Sequence, residues 1–433
     1  MNDVVIKKTA TLSGEVCAPP SKSYTQRMLI ASSLSSGVSR ISGPLISDDT
    51  EATMRAVKAM GAKVDVEEGC WIVKGGSPKG ASEPIDCGES GATLRFMIPV
   101  AALAAEPSVF LLGRALEQRP IEPLLQSLKQ LCVSTSSNKT DCKTSITVEG
   151  GGIAGGKTSI RGDVSSQFVS GLMFACPLAQ EDTEITVTTP LESKGYVQMT
   201  LEVLTKHDVK INYSGDFRKI LIPSDQKYNK ADHSVPGDFS SAAFLLSAAA
   251  ITNSNVTIAN LDYSLAQGDK AIIGILKKMG AQVKVCKDKI EIKGNGDLLE
   301  AIDLNAKETP DLVPVCTVLA CFAKGTTKIS GAKRLRLKES DRLDSLNLEL
   351  RKMDADIVAN EDGLTVKGPC KLRGSDIDPH NDHRIAMACA VAALGAEGDT
   401  TIHNAECVKK SYPRFFNDLH SLGGNLVGRK FDR

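Results

Sequence analysis

Along the chain, short polar clusters alternate with runs of about a dozen mostly apolar residues. Ser21-Lys22-Ser23-Tyr24-Thr25-Gln26-Arg27 leads into Met28-Leu29-Ile30-Ala31, and the same change of character follows Gly88–Arg95, Val164–Gln167, Gly237–Ser241, Thr309–Asp311 and Asn381–Arg384. Helical runs that are apolar on every side predict buried helices. A Ser or Asp just ahead of such a run predicts its N-cap. Amphipathic segments lie between the buried ones. Asp49–Met60 is one, and in Leu343–Met353 the residues Leu343, Leu346, Leu350 and Met353 fall on one face. Each amphipathic helix gives way to a period of two, as in Cys70–Gly75, Ile290–Gly294 and Leu364–Gly368, which predicts strands.

These elements repeat. Met60, Leu131, His207, Met279, Met353 and Leu422 end the amphipathic helices at gaps of 71, 76, 72, 74 and 69 residues. A steady period marks a repeat architecture, and this one is too long for the usual solenoid modules. Each unit reads buried helix, strand, amphipathic helix, strand, turn, strand. Pro19-Pro20 and Ser234-Val235-Pro236-Gly237 punctuate the chain about three units apart. They predict two lobes, one of residues 21–234 and one of residues 1–20 with 235–433.

Composition narrows the function. Basic and acidic residues balance at 52 each and aromatics are 4%, which argues against a nucleic-acid surface or base-stacking platform. The 12 cysteines show no C-x-x-C, and several sit inside apolar runs, the usage of a reduced compartment. Met1–Lys8 lacks the look of a signal peptide, and Ser240–Ile251 and Val313–Ala323 are too short to cross a bilayer. A cytoplasmic protein with no membrane partner is expected, acting as a monomer. Six histidines without ligand spacing predict no metal site, and no cofactor is expected.

The candidate chemistry sits at the helix starts. A helix N-terminus offers unpartnered N–H groups and favours negative charge. Lys22, Ser23 and Arg27 placed there make an anion pocket, where a surface helix would show only ordinary capping. Six such ends, if they converge, would form one site for a small polyanion. Arg334-Leu335-Arg336-Leu337 alternates as a strand ending near Lys338, so Lys338, Glu339 and Arg342 would meet at a strand-to-helix junction. Asp311 opens the apolar run Leu312–Ala323; it is a simple cap or, with substrate over the helix end, a proton acceptor. His383 and Arg384 start another buried helix, and Arg119 and Lys410 add cations before further helices. Gly151–Thr158 matches G-x-x-x-x-G-K-T, but a phosphate loop must enter a helix, and Thr158–Asp163 reads as strand and turn. A Gly-rich hairpin is the expectation there.

Taken together, Pro20–Arg27, Gly91–Arg95, Arg119-Pro120, Ser165-Ser166-Gln167, Ser193–Tyr196, Pro310-Asp311, Lys338–Arg342, Asp382-His383-Arg384 and Lys410–Pro413 resemble the 5-enolpyruvylshikimate-3-phosphate synthase family over nearly the whole chain. The resemblance implies an α/β fold, a two-lobed inside-out α/β barrel of six βαβαββ repeats, three per lobe. It implies a shikimate-pathway transferase, a glyphosate target, that moves the enolpyruvyl group of phosphoenolpyruvate to the 5-hydroxyl of shikimate 3-phosphate through a tetrahedral intermediate. Its small-molecule partners would be those two substrates. By the resemblance, Ser23, Arg27, Ser165, Ser166, Ser193 and Lys338 bind shikimate 3-phosphate, and Gln167 lies between the substrates. Lys22, Arg119 and Lys410, with Gly91 close by, hold the phosphate of phosphoenolpyruvate, and Arg342 and Arg384 hold its carboxylate. Asp311 takes the hydroxyl proton. Glu339 protonates the methylene carbon, assisted by Lys22, Lys410 or His383. Glu89-Ser90-Gly91-Ala92 stands where the family often has Asn-Ala-Gly-Thr. The alternatives are a transferase acting on UDP-N-acetylglucosamine, which usually carries a reactive Cys that the Arg114–Pro120 region lacks, and a P-loop kinase.

Overall fold

The computed structural model describes residues 3–139, 144–296 and 299–428, so Met1 and Asn2 of the N-terminal segment lie outside the described residues. The chain divides into two compact units, Pro20–Val235 and Met1–Pro19 with Pro236–Arg433. The first is called here the middle unit and the second the terminal unit.

In the middle unit the helices are α1 (Lys22–Leu34), α2 (Asp48–Ala59), α3 (Gly91–Ala101), α4 (Glu122–Gln130), α5 (Ser166–Ala175) and α6 (Lys194–Lys206). In the terminal unit they are α7 (Phe239–Ile251), α8 (Ala271–Lys278), α9 (Val313–Cys321), α10 (Arg342–Lys352), α11 (His383–Gly395) and α12 (Phe415–Ser421). The odd-numbered helices are the apolar runs. Phe239–Ala250 of α7 and His383–Leu394 of α11 are buried throughout. The even-numbered ones bury a stripe; α10 turns Leu343, Leu346 and Leu350 inward.

All six repeat markers are C-caps of the even-numbered helices. After each comes a residue with positive φ: Gly61, Cys132, Asp208, Gly280, Asp354 and Gly423. The left-handed residue ends the helix and turns the chain toward the next strand. This shared stop, more than any side chain, sets the period.

One sheet accompanies each repeat, and all six have the same order. Val38–Ser42 runs parallel to His233–Ser234 and antiparallel to Cys70–Lys74, and Lys63–Glu67 forms the far edge. The terminal unit uses the N-terminal segment twice. Thr11–Cys17 lies parallel to Asn253–Ala259, with Thr11 opposite Asn253, and Val4–Lys7 lies antiparallel to Asp399–Ile402, with Val4 opposite Ile402. The two sheets that would otherwise lack a strand are completed by the chain's first residues.

Three expectations change. Lys333–Leu337 is a 3-10 helix, not a strand. The Asp362 carboxylate accepts from Gly331 N (2.9 Å) and Lys333 N (3.0 Å), and these local bonds coil the chain before the leucine alternation can extend it. Asp311 lies in a 3-10 turn, Pro310–Leu312, one step ahead of α9, and is not its cap. The Gly-rich stretch is not a hairpin. It links strand Thr144–Val148 of one sheet to Gly156–Ile160 of the next. Lys157 therefore enters a strand, parallel to Thr183–Val187, and the phosphate-loop geometry is absent there. Gly155 is fixed by space: a Cβ would sit 2.2 Å from Glu181 O.

Candidate active site

The terminal unit gathers its candidate residues at the starts of α9, α10 and α11. Asp341 caps α10 by accepting from Asp344 N (3.1 Å). Asp382 caps α11, accepting from Arg384 N (2.9 Å). With both helix starts fixed, Arg342 reaches Asp382 through Nε (2.7 Å), Asp311 through Nη1 (2.9 Å) and Glu339 through Nη2 (2.6 Å). The guanidinium is 1% exposed and Asp382 is 0% exposed. Arg384 Nη2 donates to the other Asp311 oxygen (3.1 Å), and Lys338 Nζ lies 3.8 Å from Asp311. Asp311, Lys338, Glu339, Arg342 and Arg384 thus form one cluster. Lys410 Nζ donates to Asn381 O (2.5 Å), and His383, 1% exposed, sits with Nδ1 3.8 Å from Asp382.

Charge inside the cluster is tuned by burial and by neighbours. Burial works against ionised Asp311, but Arg384, Lys338 and Arg342 outweigh it and hold the carboxyl well below the usual range. Burial brings Lys338 down to about 8, although Asp311 pulls the other way. Arg342 is held above its ordinary value: burial lowers it, and Asp382, Glu339 and Asp311 more than reverse that.

Behind the cluster, Glu349 of α10 is wholly buried. It accepts from Lys352 Nζ (2.7 Å), His380 Nε2 (2.9 Å) and Asp378 N (3.1 Å). These bonds fasten the turn in which His380 and Asn381 take positive φ, the turn that delivers Asp382.

The middle unit presents cations in a different setting. Ser21 caps α1 by accepting from Tyr24 N (3.4 Å), and Lys22 Nζ pairs with Asp49 of α2 (2.9 Å). Gln26 ties the starts of three helices together, donating to Thr53 Oγ1 (2.9 Å) and Ser90 Oγ (3.3 Å). Arg27 is held by neutral groups: Nε donates to Thr200 Oγ1 (2.8 Å), Nη1 to Ser23 O (2.9 Å), and the guanidinium faces the Phe96 and Tyr196 rings. Its Nη2 is buried without a hydrogen-bond partner among the described residues. Burial brings Arg27 down to about 10.

Gly91 and Arg119 belong together. A Cβ on Gly91 would stand 3.0 Å from the Arg119 guanidinium, so glycine lets the cation lie against the start of α3. Glu89 is committed to backbone hydrogen bonds. It accepts from Ala115 N (3.3 Å) and Leu116 N (2.8 Å), bracing the turn that carries Arg119. Gln167 accepts from Arg95 Nη1 (2.8 Å), and Ser165 caps α5 through Gln167 N (3.3 Å) with Ser166 in its first turn. Ser193 precedes α6 with a left-handed backbone.

Sequence reasoning passed over several participants. Asp49 reads as one acid among those favouring the start of α2, and its pairing with Lys22 is long-range. Asp382 was legible as a cap, but not as the anchor of Arg342. Arg95 closes a polar cluster, but nothing in the sequence shows that it orients Gln167, and Glu349 gave no signal beyond a helical position.

The repeated unit, six times over with polar helix starts, defines the enolpyruvyl-transferase fold. The enolpyruvyl transferase NikO of Streptomyces tendae, 18% identical, superposes with a TM-score of 0.81 over 99% of this chain and 98% of its own. The EPSP synthase of Acinetobacter baumannii, 26% identical, gives 0.83 over 99% of this chain and 100% of its own. The 3-phosphoshikimate 1-carboxyvinyltransferase of Methanocaldococcus jannaschii is 45% identical over 98% of this chain and 99% of its own. Residues 6–419 match the profile of EPSP synthase (3-phosphoshikimate 1-carboxyvinyltransferase), and the chain belongs to that family.

Proposed function

We propose that this protein transfers the enolpyruvyl group of phosphoenolpyruvate to the 5-hydroxyl of shikimate 3-phosphate, releasing phosphate. Membership of the family supports the reaction. The observation that carries the residue roles is the pairing of an ionised, cation-held carboxylate, Asp311, with a set of helix-start cations.

Both substrates are multiply charged anions, and cations must offset their repulsion. Ser23, Arg27, Ser165, Ser166, Ser193 and Lys338 hold shikimate 3-phosphate, and Gln167, oriented by Arg95, contacts both substrates. Lys22, Arg119 and Lys410 hold the phosphate of phosphoenolpyruvate beside Gly91. Arg384 and Arg342 take its carboxylate, a use that suits the guanidinium fork.

Asp311 accepts the hydroxyl proton. Its cations make it a weak base in the unliganded protein. Anions that draw Lys338 and Arg384 to themselves withdraw that stabilisation and raise its basicity as the substrates arrive. Glu339 delivers the proton to the methylene carbon, with Lys22, Lys410 or His383 assisting. Phosphate then leaves the tetrahedral adduct as its methyl group returns a proton to the carboxylate that had delivered one, which restores the carbon–carbon double bond and completes the exchange.

The test is phosphate release from phosphoenolpyruvate with shikimate 3-phosphate or UDP-N-acetylglucosamine as acceptor. Release with the shikimate acceptor, and the enolpyruvyl ether seen by mass spectrometry, is the expected result. Release with the UDP-sugar alone would overturn the acceptor assignment.

A further inference from the structure

We propose that Cys321 and Cys370, in the terminal unit, form an oxidisable dithiol pair that peroxide closes into a disulfide. Cys321 is the last residue of α9, and Cys370 follows the strand Gly363–Gly368. The segments are pressed together: a Cβ on Gly368 would stand 2.5 Å from Ala320 O and 2.4 Å from Ala323 O. Cys370 N donates to Cys321 O at 2.7 Å. That bond puts the two backbones in direct contact, and a disulfide needs α-carbons within ~4.4–6.8 Å. Both are free thiols here.

The two sulfurs differ in the way such chemistry needs. Cys370 is half-buried, whereas Cys321 is fully buried. In the resting protein Cys321 Sγ donates to Thr317 O (3.4 Å) and Cys370 Sγ to Lys367 O (3.3 Å); the adjacent Cys321 thiol and Asp356 N, a donor to the Cys370 sulfur (3.5 Å), favour the Cys370 thiolate. Against the opposing effect of burial, these bring Cys370 down to about 7. Burial instead pushes Cys176 and Cys316 up to about 12, which leaves them inert.

In the reaction the Cys370 thiolate attacks one oxygen of hydrogen peroxide, giving a sulfenic acid, and the hydroxide released takes up a proton to leave as water. The Cys321 sulfur then attacks the sulfenyl sulfur, and the departing hydroxide takes the Cys321 proton. Two thiols and one peroxide become one disulfide and two waters. The bond would fix the end of α9 opposite Asp311.

The test treats the whole protein with hydrogen peroxide, then combines thiol titration with mass spectrometry of unreduced peptides. The expected result is loss of two thiols, a Cys321–Cys370 cross-link and its reversal by dithiothreitol. Cys370→Ser should keep its activity and slow thiol loss at least tenfold. Cys321→Ala should stop Cys370 at the sulfenic or sulfinic acid. A link from Cys321 to Cys389, or over-oxidised Cys370 beside a free Cys321 in the unsubstituted protein, would overturn the proposal.

Discussion

Arg342 and Arg27 are both buried arginines at helix starts, yet they are held by opposite kinds of partner. Arg342 meets Asp311, Glu339 and Asp382, three carboxylates within hydrogen-bond distance. Arg27 meets a hydroxyl, a backbone carbonyl and two aromatic rings. The same burial therefore has opposite outcomes: the first guanidinium is held above its ordinary value and the second falls to about 10. A buried charge without a counter-charge weakens the fold, so one that is retained is best explained by an anion that arrives later. In the proposed function that anion is shikimate 3-phosphate. The terminal unit, by contrast, carries its counter-charges built in, and one of them is the proposed base.

This contrast predicts separable failures. The largest concerns turnover. Asp311→Asn should cut kcat by roughly 10²–10⁴, the range of a lost general base, with a smaller change in substrate affinity; steady-state phosphate release measures it. Unchanged kcat would remove Asp311 from the chemistry. Next comes stability. Arg342→Met leaves three carboxylates facing one another and should cost about 3–5 kcal/mol in denaturant unfolding. A loss under 1 kcal/mol would mean that the cluster relaxes around the missing charge.

A smaller effect is expected with pH. Lys338 titrates near 8 in the unliganded protein, so its ammonium is present below that value and lost above it. Affinity for shikimate 3-phosphate should fall as pH rises from about 7 to 9, and Lys338→Arg should flatten the profile, because arginine stays charged throughout. The stability sign is the reverse. The folded value lies below the unfolded one, so unfolding takes up a proton in the window from about 8 to 10.4, and this lysine favours the fold as pH rises through it. Smallest of all, Lys157→Ala should leave the rate within about twofold, since Lys157 sits in a strand and the match to the phosphate-loop pattern carries no such geometry.

Much of this arrangement was legible before any coordinates. The six helix stops appear as a period because each needs a left-handed residue in the same place, and Gly61, Gly280 and Gly423 make that need visible. Caps such as Ser21, Ser90, Asp238 and Asp382 are equally readable, since a helix start asks for the same few residue types. The turn at Lys333–Leu337 was misread because Asp362, far along the chain, supplies the acceptors that coil it. Partner choice was hidden for the same reason. Glu339, three residues ahead of Arg342, is the one local hint; Asp311 and Asp382 come from far along the chain, as does the hydroxyl that holds Arg27. That difference comes from which helix starts the fold brings together.

The most direct measurement is calorimetric titration of shikimate 3-phosphate into the protein and into Arg27→Met, with thermal unfolding of both. The account predicts affinity at least tenfold weaker, the loss of a charge-assisted contact, and an unfolding temperature equal or higher. Unchanged affinity with a lowered unfolding temperature would contradict it, and would make Arg27 a structural residue of the middle unit.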